Sequence, residues 1–179
     1  MKLKRLQLHA EYRKLSEELL KATIPALQSV IPKEARVFGG YFPLEGEFDP
    51  VPLLQHLGKQ GHTICLPVVL QKGQALVFRR WDGQVASLEK GQYGIMCPKE
   101  CQDQEAPEVF ITPLLAFDKK GFRLGYGGGF YDRTFSKHKN ALRVGVAYSG
   151  QEVDEVPVGA YDLPLHYIVT ERGVLIGQT

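Results

Sequence analysis

Gly121-Phe122-Arg123-Leu124-Gly125-Tyr126-Gly127-Gly128-Gly129-Phe130-Tyr131-Asp132-Arg133 is the stretch on which the reading of this chain turns. It holds five of the 19 glycines, with aromatic residues, two arginines and one carboxylate among them. Glycines gathered this way serve a backbone that turns sharply or approaches something closely, where a Cβ would clash. Successive peptide N–H groups in such a loop converge on an anion. Arg123 and Arg133 are bidentate phosphate donors by type. Asp132 is the hard oxygen ligand that a phosphate-bound Mg²⁺ takes. Together they read as a nucleotide triphosphate site. No G-x-x-x-x-G-K-[ST] occurs, and Gly125-x-Gly127 is followed by Phe130, so neither standard phosphate motif fits. The bland alternative is a glycine-rich hairpin or a tight strand-to-helix turn. A mere turn has no use for the arginines and Asp132.

The flanks place the loop. Glu108–Pro113 is an apolar strand pattern before it, and Phe130–Lys139 suits a helix after it. Upstream, residues 2–30 read as helix, with Leu3, Leu6, Leu15, Leu19, Ile24 and Leu27 as the apolar stripe, a break near Lys14–Ser16 and a kink or restart at Pro25. Arg36–Phe42 and His62–Val69 read as strands around a loop, 43–50, and a short helix, Pro52–Gln60, that stops at Gly61. Ala75–Arg80 follows the turn Gln71–Gln74 and pairs as a hairpin. Asp82–Pro107 shows turns and little regular pattern. Ala141–Tyr148, Tyr167–Thr170 and Val174–Ile176 are the last strands. Strands alternating with helices imply an α/β layered domain with a mostly parallel sheet. Ligands in such sheets sit at the carboxyl ends of strands, where this glycine loop falls.

Bulk composition sets limits. The 179 residues suit one domain, 1–179. Hydrophobic residues make up 44% and charged residues 23%, ordinary for a globular protein. A net charge of +2 fits an anionic small substrate and argues against nucleic acid. Cys65, Cys97 and Cys101 imply neither a disulfide framework nor a zinc site. No apolar run is long enough to span a membrane. A cytoplasmic monomer without membrane partner is the expectation. The five histidines have no convergent partner, so no Ser-His-Asp or Cys-His arrangement follows.

Pro113-Leu-Leu-Ala-Phe117-Asp118 followed by Gly121 to Arg133 resembles the signature of the 5-formyltetrahydrofolate cyclo-ligase family, also called methenyltetrahydrofolate synthetases. Tyr41-Phe42-Pro43 with Gly46-Glu47, Phe78-Arg79 with Trp81, Tyr93-Gly94-Ile95 with Pro98, and Tyr161-Asp162-Leu163-Pro164 extend the resemblance along nearly the whole chain. It implies a three-layer α/β/α fold similar to the sugar-phosphate isomerase and CoA-transferase-like fold. It implies that ATP and 5-formyltetrahydrofolate give 5,10-methenyltetrahydrofolate, ADP and phosphate, through phosphorylation of the formyl oxygen and ring closure by N-10. The matching positions place ATP on Arg123, Leu124, Gly125, Tyr126, Gly127, Gly128, Gly129, Phe130 and Tyr131, with Arg5 in the first helix and Arg13 behind it. Arg123, Tyr131 and Asp132 are the residues expected to serve the chemistry. Asp132 and Asp162 match the Mg²⁺ positions. Phe42, Glu47, Tyr93 and Tyr126 match folate contacts. The family's usual lysine four residues before the arginine is Met1 here, so the resemblance leaves Lys2 or Lys4 to reach the phosphates, with Lys2 the residue named for ATP. His166 stands where an aspartate is common, and no chemical role is expected of it.

Each residue also has a plainer reading. Asp162 caps a turn before Pro164, Glu47 is a solvated loop charge, and Phe78, Trp81 and Tyr93 are packing residues. Arg5 is a solvated helix charge. Two other functions share the loop: a module binding RNA or a phosphorylated metabolite, and an ATP-independent enzyme such as a sugar-phosphate isomerase.

Overall fold

The structure is a computed structural model that describes residues 2–12 and 23–177. Its centre is one eight-stranded sheet, and the strand patterns explain why. β7 (Val109–Thr112) is buried along its whole length, and β10 (Leu142–Val146) nearly so. Such uninterrupted apolar runs belong to parallel strands covered on both faces. β1 (Val37–Gly39) pairs in parallel with β2 (Thr63–Val68) and with β7; β7 pairs in parallel with β10, and β10 with β11 (Tyr167–Thr170). Antiparallel strands close both edges: β12 (Gly173–Ile176) on β11, and β3 (Val77–Arg80) on β2, with β6 (Gln104–Glu105) beyond β3. The mostly parallel α/β sheet expected from the sequence is therefore present.

Alternation along each strand divides the core in two. Leu66, Val109, Ile111 and Val144 join one cluster with Leu53, Leu54 and Leu57 of α3 (Val51–Lys59). Leu8 of α1 (Lys2–Tyr12) and Leu27 of α2 (helical over 23–28) pack there too. Cys65, Phe110 and Ile168 face the other cluster with Phe135 of α4 (Phe130–Lys137). Helices thus cover both faces. Eight residues are too few for a helix to hold alone in water. Phe135, fully buried against Phe110, anchors α4, and burial of such a ring contributes about 1.5–3 kcal/mol. The Thr134 hydroxyl adds a second anchor, accepting the Leu76 N–H at 2.9 Å.

Taken in chain order, the five parallel strands lie as second, first, third, fourth, fifth. The order reverses between β1 and β7, and at such a point two loops part and leave a crevice at the carboxyl ends of the strands. One is the 40–50 loop after β1; the other leads from β7 to α4.

Three differences from expectation concern short elements. Asp82–Pro107 is more regular than its pattern, forming a hairpin of β4 (Leu88–Lys90) and β5 (Met96–Pro98) before β6. The segment before the glycines folds as a second hairpin, β8 (Ala116–Phe117) with β9 (Arg123–Leu124). Pro25 lies inside the helical stretch 23–28; the break near Lys14–Ser16 falls outside the described residues.

Candidate active site

The glycine loop begins where sheet pairing ends. Leu124 is the last residue of β9, opposite Ala116. Residues 125–128 are exposed and belong to no strand. Gly127 has φ +80° and Gly129 φ +62°, conformations that other residues adopt only at a cost. Gly129 is the N-cap of α4, and having no side chain it cannot cap the first turn. The Arg133 N–H, bonded to Gly129 O at 3.2 Å, opens the helical ladder; the amides of Phe130, Tyr131 and Asp132 precede it as the orphan donors of a helix start. Gly125 is the telling position. Its φ is not positive, and a Cβ there would meet nothing within 4 Å. Neither strain nor packing asks for glycine there, so the loop leaves open space beside the chain.

Arg123 closes the loop. Its Nη2 donates to Asp132 Oδ1 at 2.8 Å and its Nη1 to Leu163 O at 3.2 Å. The side chain is 6% exposed, stacked 4.8 Å from the Phe135 centroid and 5.8 Å from that of Tyr131. The sequence presents it as a phosphate donor, yet its Nη groups are engaged by the chain itself. Arg133 also folds back, donating to Gly128 O and to Gln74 O and lying over Phe130. Asp162 lies beside Leu163; its Oδ2 accepts the Gly159 N–H at 2.7 Å, the turn cap of the plainer reading.

The β1 loop supplies the facing wall. Glu47 is 3% exposed, not a solvated loop charge, and its Oε2 accepts the Leu44 N–H at 2.8 Å. Burial, then the Glu47 charge, pushes the Tyr41 and Tyr131 phenols well above their usual range, so both stay protonated. The Glu47 charge thus acts on Tyr131 of α4. Phe42 is half-buried against the sheet-side core. Gly46 has φ +79°, and a Cβ on it would fall 2.7 Å from Leu6 Cδ2. So α1 docks beside Glu47. Lys2 is exposed on α1; Arg5 lies on the same helix with its side chain outside the described part, and Arg13 lies outside it altogether.

Tyr93 comes from the hairpin that the sequence pattern hid. It is 62% exposed, holds φ +58° as a non-glycine, and sets its ring edge-on to Phe130 at 6.2 Å. Tyr126 is 52% exposed. Phe78 and Trp81 are core residues, 2% and 4% exposed.

A model of the 5-formyltetrahydrofolate cyclo-ligase family matches residues 1–171. The chain belongs to that family. The cyclo-ligase of Haemophilus influenzae is 35% identical over 93% of this chain and 97% of its own. That of Escherichia coli K12 is 38% identical over 75% and 77%. The solved 5,10-methenyltetrahydrofolate synthetase of Aquifex aeolicus superposes with a TM-score of 0.78 at 36% identity, covering 98% of this chain and 88% of that one. The Mycoplasma pneumoniae synthetase, at 19% identity and a TM-score of 0.69, shares the fold. This member of the family is accordingly an enzyme, a ligase of one-carbon folate chemistry.

Sequence alone assigned no role to Asp118. It is 1% exposed and takes three amides: Lys120 N at 3.0 Å, Phe122 N at 3.1 Å and Val156 N at 3.0 Å. It pins the β8–β9 hairpin, and with it the start of the glycine loop, to the 152–156 segment. Its only signal in the chain is its place ahead of Gly121.

Among the described residues no three His, Cys, Asp or Glu side chains gather as a metal cage. Mg²⁺ seldom needs one, since one or two carboxylates beside nucleotide phosphates suffice. Asp132 stands in the first turn of α4 and Asp162 beside Leu163, whose carbonyl Arg123 reaches.

Proposed function

We propose that this protein closes 5-formyltetrahydrofolate to 5,10-methenyltetrahydrofolate with conversion of ATP to ADP and phosphate, residues 1–179 acting as one unit. The observation that carries the reading is the uncapped glycine loop on the connection from β7 to α4, its residues outside any sheet, together with the buried carboxylate of Glu47 on the loop after β1. Family membership and relatives named for the same reaction support it.

In this reading the triphosphate lies on the amides of 125–131, with Lys2 and Arg5 reaching it from α1. Asp132 and Asp162 would hold Mg²⁺. Bound there, Mg²⁺ offsets the negative charge of the phosphates. Phe42, Tyr93 and Tyr126 contact the flat folate ring system, and Glu47 accepts its amino and ring N–H groups. The Tyr131 hydroxyl, held protonated, donates.

The formyl oxygen attacks the γ-phosphorus, and the bond to ADP breaks. N-10 then adds to the activated formyl carbon and gives up its proton. The carbon–oxygen bond breaks, phosphate leaves with the electron pair, and the conjugated N–C–N cation remains. An amide oxygen is a poor leaving group, and phosphorylation cures that. The chain mainly aligns two substrates and neutralises charge. Arg123 serves by fixing Asp132 and the 163 backbone.

Mixing the protein with 5-formyltetrahydrofolate, Mg²⁺ and ATP tests this. The expected result is an absorbance gain from the conjugated product that requires ATP. Folded protein with an intact N-terminus that gives none contradicts the proposal; a gain without ATP points to another enzyme.

A further inference from the structure

Arg79 and Arg80 are neighbours on β3 and leave opposite faces of the sheet. Arg80 is well matched: its Nε donates to Glu105 Oε1 at 2.9 Å, its Nη2 reaches the same oxygen, and Asp103 lies 4.0 Å from Nη1. Arg79 is only 6% exposed, its Nε is fully buried without an acceptor, and among the described residues its guanidinium makes no hydrogen bond or ion pair. A guanidinium never sheds its charge at ordinary pH, and an enclosed charge without a counter-charge is costly. Arginines are almost never buried unless paired. Folding has put a cation where nothing in the described chain answers it.

Its surroundings indicate what does. In the register Arg79 stands opposite Leu66, and antiparallel partners project to one face. Leu66 belongs to the core cluster of α3, whereas α4 packs on the other face. The β4–β5 hairpin packs on that same face: Leu88 of β4 and Met96 of β5 join the core cluster that holds Leu66, and the Arg79 charge acts on the Cys97 thiol of β5. Glu89, the cross-strand partner of Cys97, is exposed and forms no ion pair with Arg79. Tyr93, at the turn of the same hairpin, precedes Cys97 by four residues, at most about 13 Å of extended chain.

We propose that Arg79 is an anion-binding residue whose ligand is a carboxylate on the glutamyl end of the folate substrate. The inference rests on the function read above and adds a subsite to it. A nucleotide phosphate is the weaker candidate, because the glycine loop leads into α4, on the opposite face of the sheet. A folate whose ring meets Tyr93 extends its glutamyl end along the hairpin toward Arg79.

The experiment compares binding of 5-formyltetrahydrofolate and of 5-formyltetrahydropteroate, which lacks the glutamate, by calorimetry on wild type, Arg79→Met and Arg79→Lys. Methionine keeps the buried stem and removes the charge. Arg79→Met is expected to lose about tenfold to a hundredfold in affinity for the glutamyl compound, the worth of one charge-assisted contact. Pteroate binding is expected to stay the same, and the thermal midpoint to be no lower than wild type. Arg79→Lys should retain part of the glutamyl preference. A full preference surviving in Arg79→Met overturns the proposal. So does an equal loss for both ligands, which means that Arg79 only shapes the crevice. Wild type that binds neither compound refutes the functional reading itself, a result distinct from either.

Discussion

Arg123 and Asp132, nine positions apart, meet at 2.8 Å and tie the two ends of the glycine loop together. Arg123 ends the β8–β9 hairpin and Asp132 stands in the first turn of α4. The pair fixes how far the loop can open, because its guanidinium is 6% exposed and its carboxylate 18%. The pair thus serves two ends: the carboxylate stands in the first turn of α4, and the guanidinium reaches across to Leu163 O beside Asp162.

Asp132→Ala should abolish turnover, by at least about a thousandfold, while the fold persists. Removing one partner of a mostly buried pair strands the other, at about 2–3 kcal/mol here, since Asp132 retains some solvent. At this chain length that is a fall of roughly 5–10 °C in Tm. Steady-state rates and a melting curve check both parts. Near-normal turnover would remove Asp132 from the site.

Asp118→Ala should loosen the loop from behind. Three amides lose a buried acceptor, a cost of about 2–4 kcal/mol at one to a few kcal/mol for each buried donor left unmet. Denaturant titration should show the loss, and amide exchange at Phe122 and Val156 should accelerate first. Unchanged exchange there would show that other contacts hold the hairpin.

Two glycines of the same stretch should answer alanine in opposite ways. Gly121 has φ +88°, and a Cβ on it would lie 2.6 Å from Leu165 O, so Gly121→Ala should destabilise by more than about 2 kcal/mol. Gly125 has open space, so Gly125→Ala should leave Tm unchanged and raise KM for ATP about tenfold. An unaltered KM would mean that no phosphate approaches residue 125.

Stability should fall in two steps as pH drops. His138 and His166 line one cleft at the amino ends of the strands. Burial holds both below the usual 6.5, with Lys137 assisting at the first and Arg143 at the second. The unfolded chain therefore binds more protons, and stability present above pH 6.5 is lost as pH falls through the depressed folded values. His166 accepts the Arg143 N–H at Nδ1, 2.9 Å away, which an imidazolium cannot do. Glu108 is held below 4.5, chiefly by the Arg36 and Val37 amides, so its contribution vanishes in a lower window. Melting curves from pH 3 to 8 should show His166→Asn flattening the upper step and sparing the lower.

Much of the architecture was legible because it is written in runs. The strands β1, β2, β7, β10 and β11 and the helices α3 and α4 appear within a few residues of where apolar pattern and glycine punctuation put them. β1 was legible through the longer apolar run 36–42 around its three residues; the two- and three-residue strands of the hairpins β4–β5 and β8–β9 sit in turn-rich sequence with no period to detect. The cost fell on the site: Tyr93, which meets Phe130, stands at the turn of that first hairpin, and Leu88 and Met96 of the same hairpin pack into the core on the Arg79 face of the sheet.

The sequence by itself determined an α/β chain with a parallel sheet, an anion-seeking glycine loop after one strand, and the cyclo-ligase signature. These are local matters: residue type, spacing and backbone freedom within about a dozen positions. Only the tertiary structure decided that Glu47 is buried, that Arg123 spends its donors on Asp132 and Leu163, and that Arg79 has no counter-charge among the described residues. The reason is dielectric and geometric. A charge acquires its meaning from what excludes water around it, and those neighbours come from strands tens of residues away.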